Sequence, residues 1–165
     1  TVPGGDVAPY GITLGGLTLP AGSSIRDAVG TPTIATLPGT NTGGIRVDAL
    51  APHVQTVVAP AAKTYGLNQQ LLFQVIFNEP VTVTGTPTIA LKVGNRMRTA
   101  AYASGSGTAM LVFRYVVQPG DVDDVGVVLG RSLLLPSVAT IRDAAGNAAG
   151  LTLPLAKTVG VKVKG

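Results

Sequence analysis

The sequence predicts an all-β sandwich, and three observations carry that prediction. Its 22 glycines and 12 prolines are spread along all 165 residues, where they punctuate short runs rich in Val, Ile, Thr and Leu. Two of those runs alternate apolar and polar side chains with a period of two, as strands do when one face is turned to a core. No window carries an apolar stripe at helical spacing with caps around it, so helices are not expected.

The strands follow from these patterns. "QLLFQVIFNEP", residues 70–80, places Leu71, Phe73, Val75 and Phe77 on one face, and "TAMLVFRYVVQ", residues 108–118, does the same with Leu111, Phe113, Tyr115 and Val117. Between them "TPTIALKV" and "RMRTAAYAS" are joined by Gly94-Asn95. A two-residue connection with glycine first suits a type II′ hairpin turn, because glycine supplies the positive φ.

Composition excludes several classes. With 45% hydrophobic and 12% charged residues the chain can bury a core. It has no cysteine, so disulfides, thiolate metal sites and cysteine nucleophiles are out of reach. No apolar run approaches the roughly 20 residues that cross a bilayer, and no basic start leads into a signal-peptide h-region. The expectation is a soluble, exported chain whose export signal lies outside these residues.

An internal repeat organises the chain. At one offset Ile25, Arg26, Asp27 and Gly30 match Ile141, Arg142, Asp143 and Gly146, and Thr36-Leu37-Pro38 matches Thr152-Leu153-Pro154. Gly44 and Val47 match Gly160 and Val163 in the same register. One residue out of step, Gly5-Asp6-Val7 matches Gly120-Asp121-Val122 and Leu14-Gly15 matches Leu129-Gly130. Residues 1–49 therefore read as the C-terminal part of a repeat that is complete in residues 50–165. The first copy has no counterpart of the strands near 70–78, 87–94 and 108–118.

The patterns "F.EPVTVTGTPT.AL", "Y.SGSGT..L.F.Y.V..GD.D..G" and "I.DAAGN" occur in order through residues 50–165. In this the chain resembles the tandem Ig-like repeats of very large bacterial surface adhesins and related extracellular repeat proteins. The resemblance implies an Ig-like β-sandwich used as a stalk, spacer or adhesive module at the bacterial cell surface, in a filament or in a biofilm. It names no ligand, since one fold hosts many functions.

Candidate sites are few. "GDVDDVG" offers Asp121, Asp123 and Asp124, hard oxygen ligands of the kind calcium takes, although the spacing is not that of an EF-hand loop. The alternative is a solvated turn. The first copy has Ala8 and Pro9 in place of two of these aspartates. In "IRDAAGN", Asp143 and Gly146 suit a turn, which makes Arg142 and Asp143 a local scaffold rather than a catalytic pair. His53 is the only histidine and falls at the repeat junction, and Glu79 has no second carboxylate near it in sequence. Zinc sites rich in histidine, a Ser-His-Asp triad and a two-carboxylate glycosidase are all unsupported. The expectation is a protein that is not an enzyme and has no cofactor beyond the calcium reading.

Charge is uneven: residues 1–49 hold two arginines against three aspartates, whereas the remainder holds ten basic and five acidic residues. Lys92, Arg96 and Arg98 gather around the hairpin, and Lys162 and Lys164 lie near the end. Such a patch suits an acidic polysaccharide, lipopolysaccharide, another host or matrix glycan, or nucleic acid, or serves as edge-strand charge that keeps sheets from pairing. With only 4% aromatic residues, a stacking platform for nucleic-acid bases is not expected.

Two readings remain open for the incomplete copy. Its apolar residues Ile12, Leu14, Leu17, Leu19, Ile34, Leu37, Ile45 and Val47 lack a facing sheet. Either other copies of the chain cover them by strand addition, giving a head-to-tail polymer, or the residues belong to a longer tandem array. The expected function is a structural extracellular module that self-associates by strand complementation, with a calcium- or glycan-dependent adhesion module as the alternative.

Overall fold

The structure, a computed structural model, describes residues 2–32, 37 and 42–165. It divides into two units, Thr1–Leu50 and Ala51–Gly165. Among the described residues all regular structure is β and no helix occurs. Ile34, Thr36 and Pro38 of the repeat lie outside the described residues.

The first unit has two short strands, β1 (Val7–Ala8) and β2 (Val47–Asp48). They run antiparallel, with Val7 opposite Asp48 and Ala8 opposite Val47. The described residues between them are turns and extended chain, with one isolated bridge from Arg26 to Pro32.

The second unit carries β3 (Val54–Val58), β4 (Thr64–Gly66), β5 (Gln70–Thr84), β6 (Thr88–Val93), β7 (Arg96–Ser104), β8 (Thr108–Val116), β9 (Val122–Asp123), β10 (Val128–Leu134), β11 (Thr140–Arg142) and β12 (Lys162–Lys164). The larger sheet runs β10-β6-β7-β8-β5, and the free side of β5 is shared by β3 and β11. The smaller sheet is β4-β12-β9, with β12 parallel to β4 and antiparallel to β9.

The alternating runs do what their period requires. Leu71, Phe73, Val75 and Phe77 of β5, and Leu111, Phe113, Tyr115 and Val117 along β8, are all buried. The rings of Tyr102 and Phe113 meet edge to face at 6.0 Å. Ile141 of β11, Val163 of β12, and Val127, Leu153 and Val161 of the connecting segments close the same core.

Two local features explain how the strands end where they do. Gly94 turns the β6–β7 hairpin with φ 55°, while Asn95 keeps a negative φ, as a type II′ turn requires. A Cβ at Gly94 would also run into the carbonyl oxygen of Val122. β5 continues past Pro80 to Thr84, further than the sequence pattern indicated, because the pairing with β8 shifts register between Ile76 and Val81. Proline lacks an N–H for the ladder, and that irregular stretch is where it is tolerated.

Pro52 and Gly165 lie at opposite ends of this unit. At one end Pro52 accepts a hydrogen bond from Gly150 N, Asn78 N donates to His53 O, and His53 N donates to the Asn78 side-chain oxygen. At the other, Gly165 donates to Asp121 and lies against Gln118, next to Val117, whose N–H bonds to Gln69. Along β5 the span from Gln69 to Asn78 corresponds to about 30 Å at the usual strand rise.

The core accounts for the unit's stability. Phe113→Ala is expected to cost about 3–5 kcal/mol by removing a fully buried ring. Val159→Ala, at an exposed position, is expected to change stability by less than about 0.5 kcal/mol. Urea unfolding of the two variants, compared at unchanged slope, checks both.

Candidate functional site

The three aspartates of "GDVDDVG" have separate surroundings. Asp121 is fully buried and its carboxylate is shared by three donors. Arg98 reaches Oδ1 through Nε at 2.9 Å and through its terminal nitrogen at 2.8 Å. Gln118 N donates to Oδ2 at 2.9 Å, and the Tyr115 hydroxyl donates to the same oxygen. Asp123 accepts from Gly94 N at 2.8 Å on Oδ2, and from Val125 N and Gly126 N on Oδ1 at 3.1 and 2.7 Å. Asp124 is exposed. These three side chains do not bring three ligand oxygens within 4.8 Å of one another, the spacing at which a shared cation would hold them.

The chemistry of these contacts is structural. Burial works to raise the pKa of Asp121, but the bonds from Tyr115, Gln118 and Arg98 outweigh it and hold the group below its ordinary 3.8. Asp123 is likewise held low: burial opposes, and the N–H groups of Gly94, Gly126 and Val125, with the charge of Lys92, prevail. Burial and the Asp121 bond push Tyr115 up from 10.0 to about 12. Both aspartates tie the loop after β8 to the β6–β7 hairpin, so Asp121 and Asp123 join one half of the unit to the other.

The basic cluster is partly absorbed by the same contacts. Arg98 is paired with Asp121, Lys92 acts on Asp123, and the Arg96 guanidinium lies 3.3 Å from where a Cβ on Gly120 would stand. His53 is exposed beside Arg131 in an open groove that also includes Thr152 and Pro154. Among the described residues no carboxylate lines that groove. Glu79 accepts a bond from the Asn78 side chain.

The repeated loop is built twice in the same way. Arg26 Nη1 donates to Gly30 O and Arg142 Nη1 donates to Gly146 O, each at 2.7 Å. Asp27 accepts from Val29 N and Thr31 N, while Asp143 accepts from the backbone and side-chain nitrogens of Asn147. Thr31 N donates to Asp27 Oδ1, and the pKa of Asp27 falls below 3.8 chiefly through its bond with Thr31. The bridges Arg26–Pro32 and Arg142–Ala148 occupy matching positions. The arginine and aspartate of this loop are thus a turn scaffold.

The correspondence extends beyond the loop. β1 pairs β2 as β9 pairs β12: Val7 faces Asp48 and Ala8 faces Val47, while Val122 faces Lys164 and Asp123 faces Val163. Ala49 N bonds Asp6 O and Gly165 N bonds Asp121 O, both at 2.8 Å. Ile45 N bonds Thr42 O as Val161 N bonds Thr158 O. Gly11 and Gly126 have positive φ and press against the carbonyl oxygens of Thr42 and Thr158, where a side chain would collide.

What differs is cover. Leu14 is 53% exposed against 7% for Leu129, Ile25 41% against 2% for Ile141, and Ile45 51% against 1% for Val161. Leu17 and Leu37 are exposed, and Ile12, Leu19 and Val47 are half-buried. Gly120 and Gly130 each lie against a neighbour, Arg96 and Ala90, whereas nothing comes within 4 Å of the corresponding positions on Gly5 and Gly15. The sequence repeat pointed to this uncovered face. It gave no sign of the Asp121–Tyr115–Arg98 tie, because Arg98 and Tyr115 are 17 residues apart and neither has a counterpart in the first copy.

Comparison with family models, with curated proteins and with solved structures found no match.

The tie has a direct test. Asp121→Asn leaves Arg98 unpaired against the core and is expected to destabilise the second unit by about 2–3 kcal/mol. Asp6→Asn, on an exposed carboxylate, is expected to leave that unit's midpoint unchanged. The pH profile follows from the shifts. Asp121 and Asp123 titrate lower folded than unfolded, so their contribution is present above about pH 4 and lost as pH falls below it. Tyr115 titrates higher folded, so stability also declines as pH rises from 10.0 toward about 12. Denaturant titrations across pH check both limits, and the acid limb should flatten in Asp121→Asn.

Proposed function

We propose that this chain is a structural, non-enzymatic repeat module of an extracellular bacterial stalk or surface filament, whose work is mechanical extension. The observation that carries this reading is the pair of attachment points in the second unit. Pro52 is fixed at the end marked by Asn78 and Gly150, and Gly165 is fixed at the end marked by Gln69 and Gln118. Tandem copies joined through such points add their lengths instead of folding back on one another. The β-sandwich suits the task because its two halves are bonded across the core as well as packed.

The residue chemistry supports a passive role. Asp121 and Asp123, the acidic groups most suited to a ligand, are taken up by protein donors. Arg26, Asp27, Arg142 and Asp143 hold turns. The recurrence of one closing half within 165 residues supports tandem organisation.

The reading is tested with concatemers of residues 51–165 carrying one, two and four copies, measured by electron microscopy and small-angle scattering. Length is expected to increase by about 30 Å or more per copy. A radius that grows only as the cube root of mass, as for copies collapsed together, would contradict it.

A further inference from the structure

Among the described residues the first unit repeats the β9–β12 pair and the turns of the second unit's closing half, while β10 and β11, which pair with the covering strands β6 and β5, have no strand counterpart in it. In the second unit the cover is residues 51–119, and it makes four identifiable kinds of contact with the closing half. β5 and β8 share one buried apolar core with Ile141, Val161 and Val163, and β5 pairs directly with β11 at Ile141. Ala90 of β6 fits against Gly130, and Arg96 of β7 against Gly120. Arg98 and Tyr115 bond Asp121. The Gly94 N–H bonds Asp123. In the first unit the first three receptors are present and bare: Ile25, Ile45 and Leu14 are exposed, Gly5 and Gly15 face open space, and the Asp6 side chain is exposed.

We infer that the described residues of the first unit, 2–32, 37 and 42–49, are an acceptor for an opening half with the residue pattern of 51–119, joined to them through the turn at Val2–Asp6 and bringing an arginine and a tyrosine to Asp6. The turn is already shaped for that delivery. Asp6 N bonds Pro3 O as Asp121 N bonds Gln118 O, which is the turn that leads from β8 into β9. Val2 corresponds to Val117, the first buried side chain beyond β8.

Two other occupants fail on geometry and stoichiometry. If residues 1–49 took the place of 120–165 on their own chain, Ala49 would stand where Gly165 does. Ala51 would remain at the opposite end, about 30 Å away along the strand direction. Two peptide links reach only about 7 Å. A second copy of these residues offers one opening half but needs cover for two closing halves, so exchange between copies always leaves one bare.

The fourth contact sets selectivity. Ala8 stands where Asp123 does, so a hairpin N–H like that of Gly94 finds no carboxylate there. The opening half in residues 51–119 is therefore a serviceable but imperfect partner for this acceptor, and Ala8→Asp corrects the mismatch. A buried donor without an acceptor is unfavourable, which is how one opening half is told from another.

This inference rests on the tandem-repeat reading, and its test is separate from the length measurement. Residues 51–115 are fused ahead of Thr1, so that Tyr115 is followed by the counterparts of Val116 and Val117, and amide hydrogen exchange is compared with the 1–165 chain. Protection at Ile45 and Ala49 is expected to rise by about 100-fold or more in the fusion. Asp6→Asn should remove much of that gain in the fusion and change nothing in 1–165, and Ala8→Asp should increase it. Residues 5–49 exchanging as fast in the fusion as in 1–165, with the second unit protected in both, would overturn the inference while leaving the extended concatemer intact. Protection gained by 1–165 alone on raising its concentration would also overturn it, in favour of a second copy.

Discussion

The carboxylate of Asp121 is where the two halves of the complete unit are fastened together. It is fully buried and receives Arg98 from β7, Tyr115 from β8 and the backbone of Gln118. A buried charge is tolerated only when it is paired and hydrogen-bonded, so this residue imposes a requirement on everything around it. The opening half must bring the arginine and the hydroxyl to one point, and the closing half must present the acid there. The core of Phe73, Phe113, Ile141 and Val161 drives the halves together without direction, whereas this tie and the Asp123–Gly94 bond fix how they meet.

The same requirement explains the two units' unequal burial. Part of the closing-half backbone geometry is kept without the cover: the Arg26–Gly30 and Asp27–Thr31 bonds are local, and the β1–β2 pairing lies within the first unit itself. Side-chain burial does not survive, because strands of two residues have no second layer of their own to pack on. Local hydrogen bonds thus define the shape of the acceptor, and long-range packing defines whether it is stable.

Much of this was legible in the sequence. Period-two alternation located β5 and β8 and their buried faces, and Gly94-Asn95 located the hairpin between β6 and β7. The offset matches located the repeated loop and the uncovered copy. The continuation of β5 beyond Pro80 was not legible, since proline reads as a strand end until a register shift is seen to absorb it. Nor was the role of Asp121 and Asp123. A cluster of aspartates in a loop looks the same in sequence whether cations or protein donors satisfy it, and the donors here come from Gly94, Arg98 and Tyr115, which no short motif links to the loop. The cluster of Lys92, Arg96 and Arg98 is a single patch in sequence, whereas in the fold two of these charges act on aspartates brought close to them.

The central claim is that two copies of one closing half share the hydrogen bonds of their turns and of one strand pair and differ in cover. Native-state hydrogen exchange on residues 1–165 tests it most directly, because matched amides make matched bonds: Ile45 with Val161, Ala49 with Gly165, and Asp27 with Asp143. The account expects each first-unit amide to exchange far faster than its partner in the second unit, at equal bond geometry. Equal protection across the pairs in a monomeric sample would contradict it, since the cover would then contribute nothing to the stability of the half it encloses.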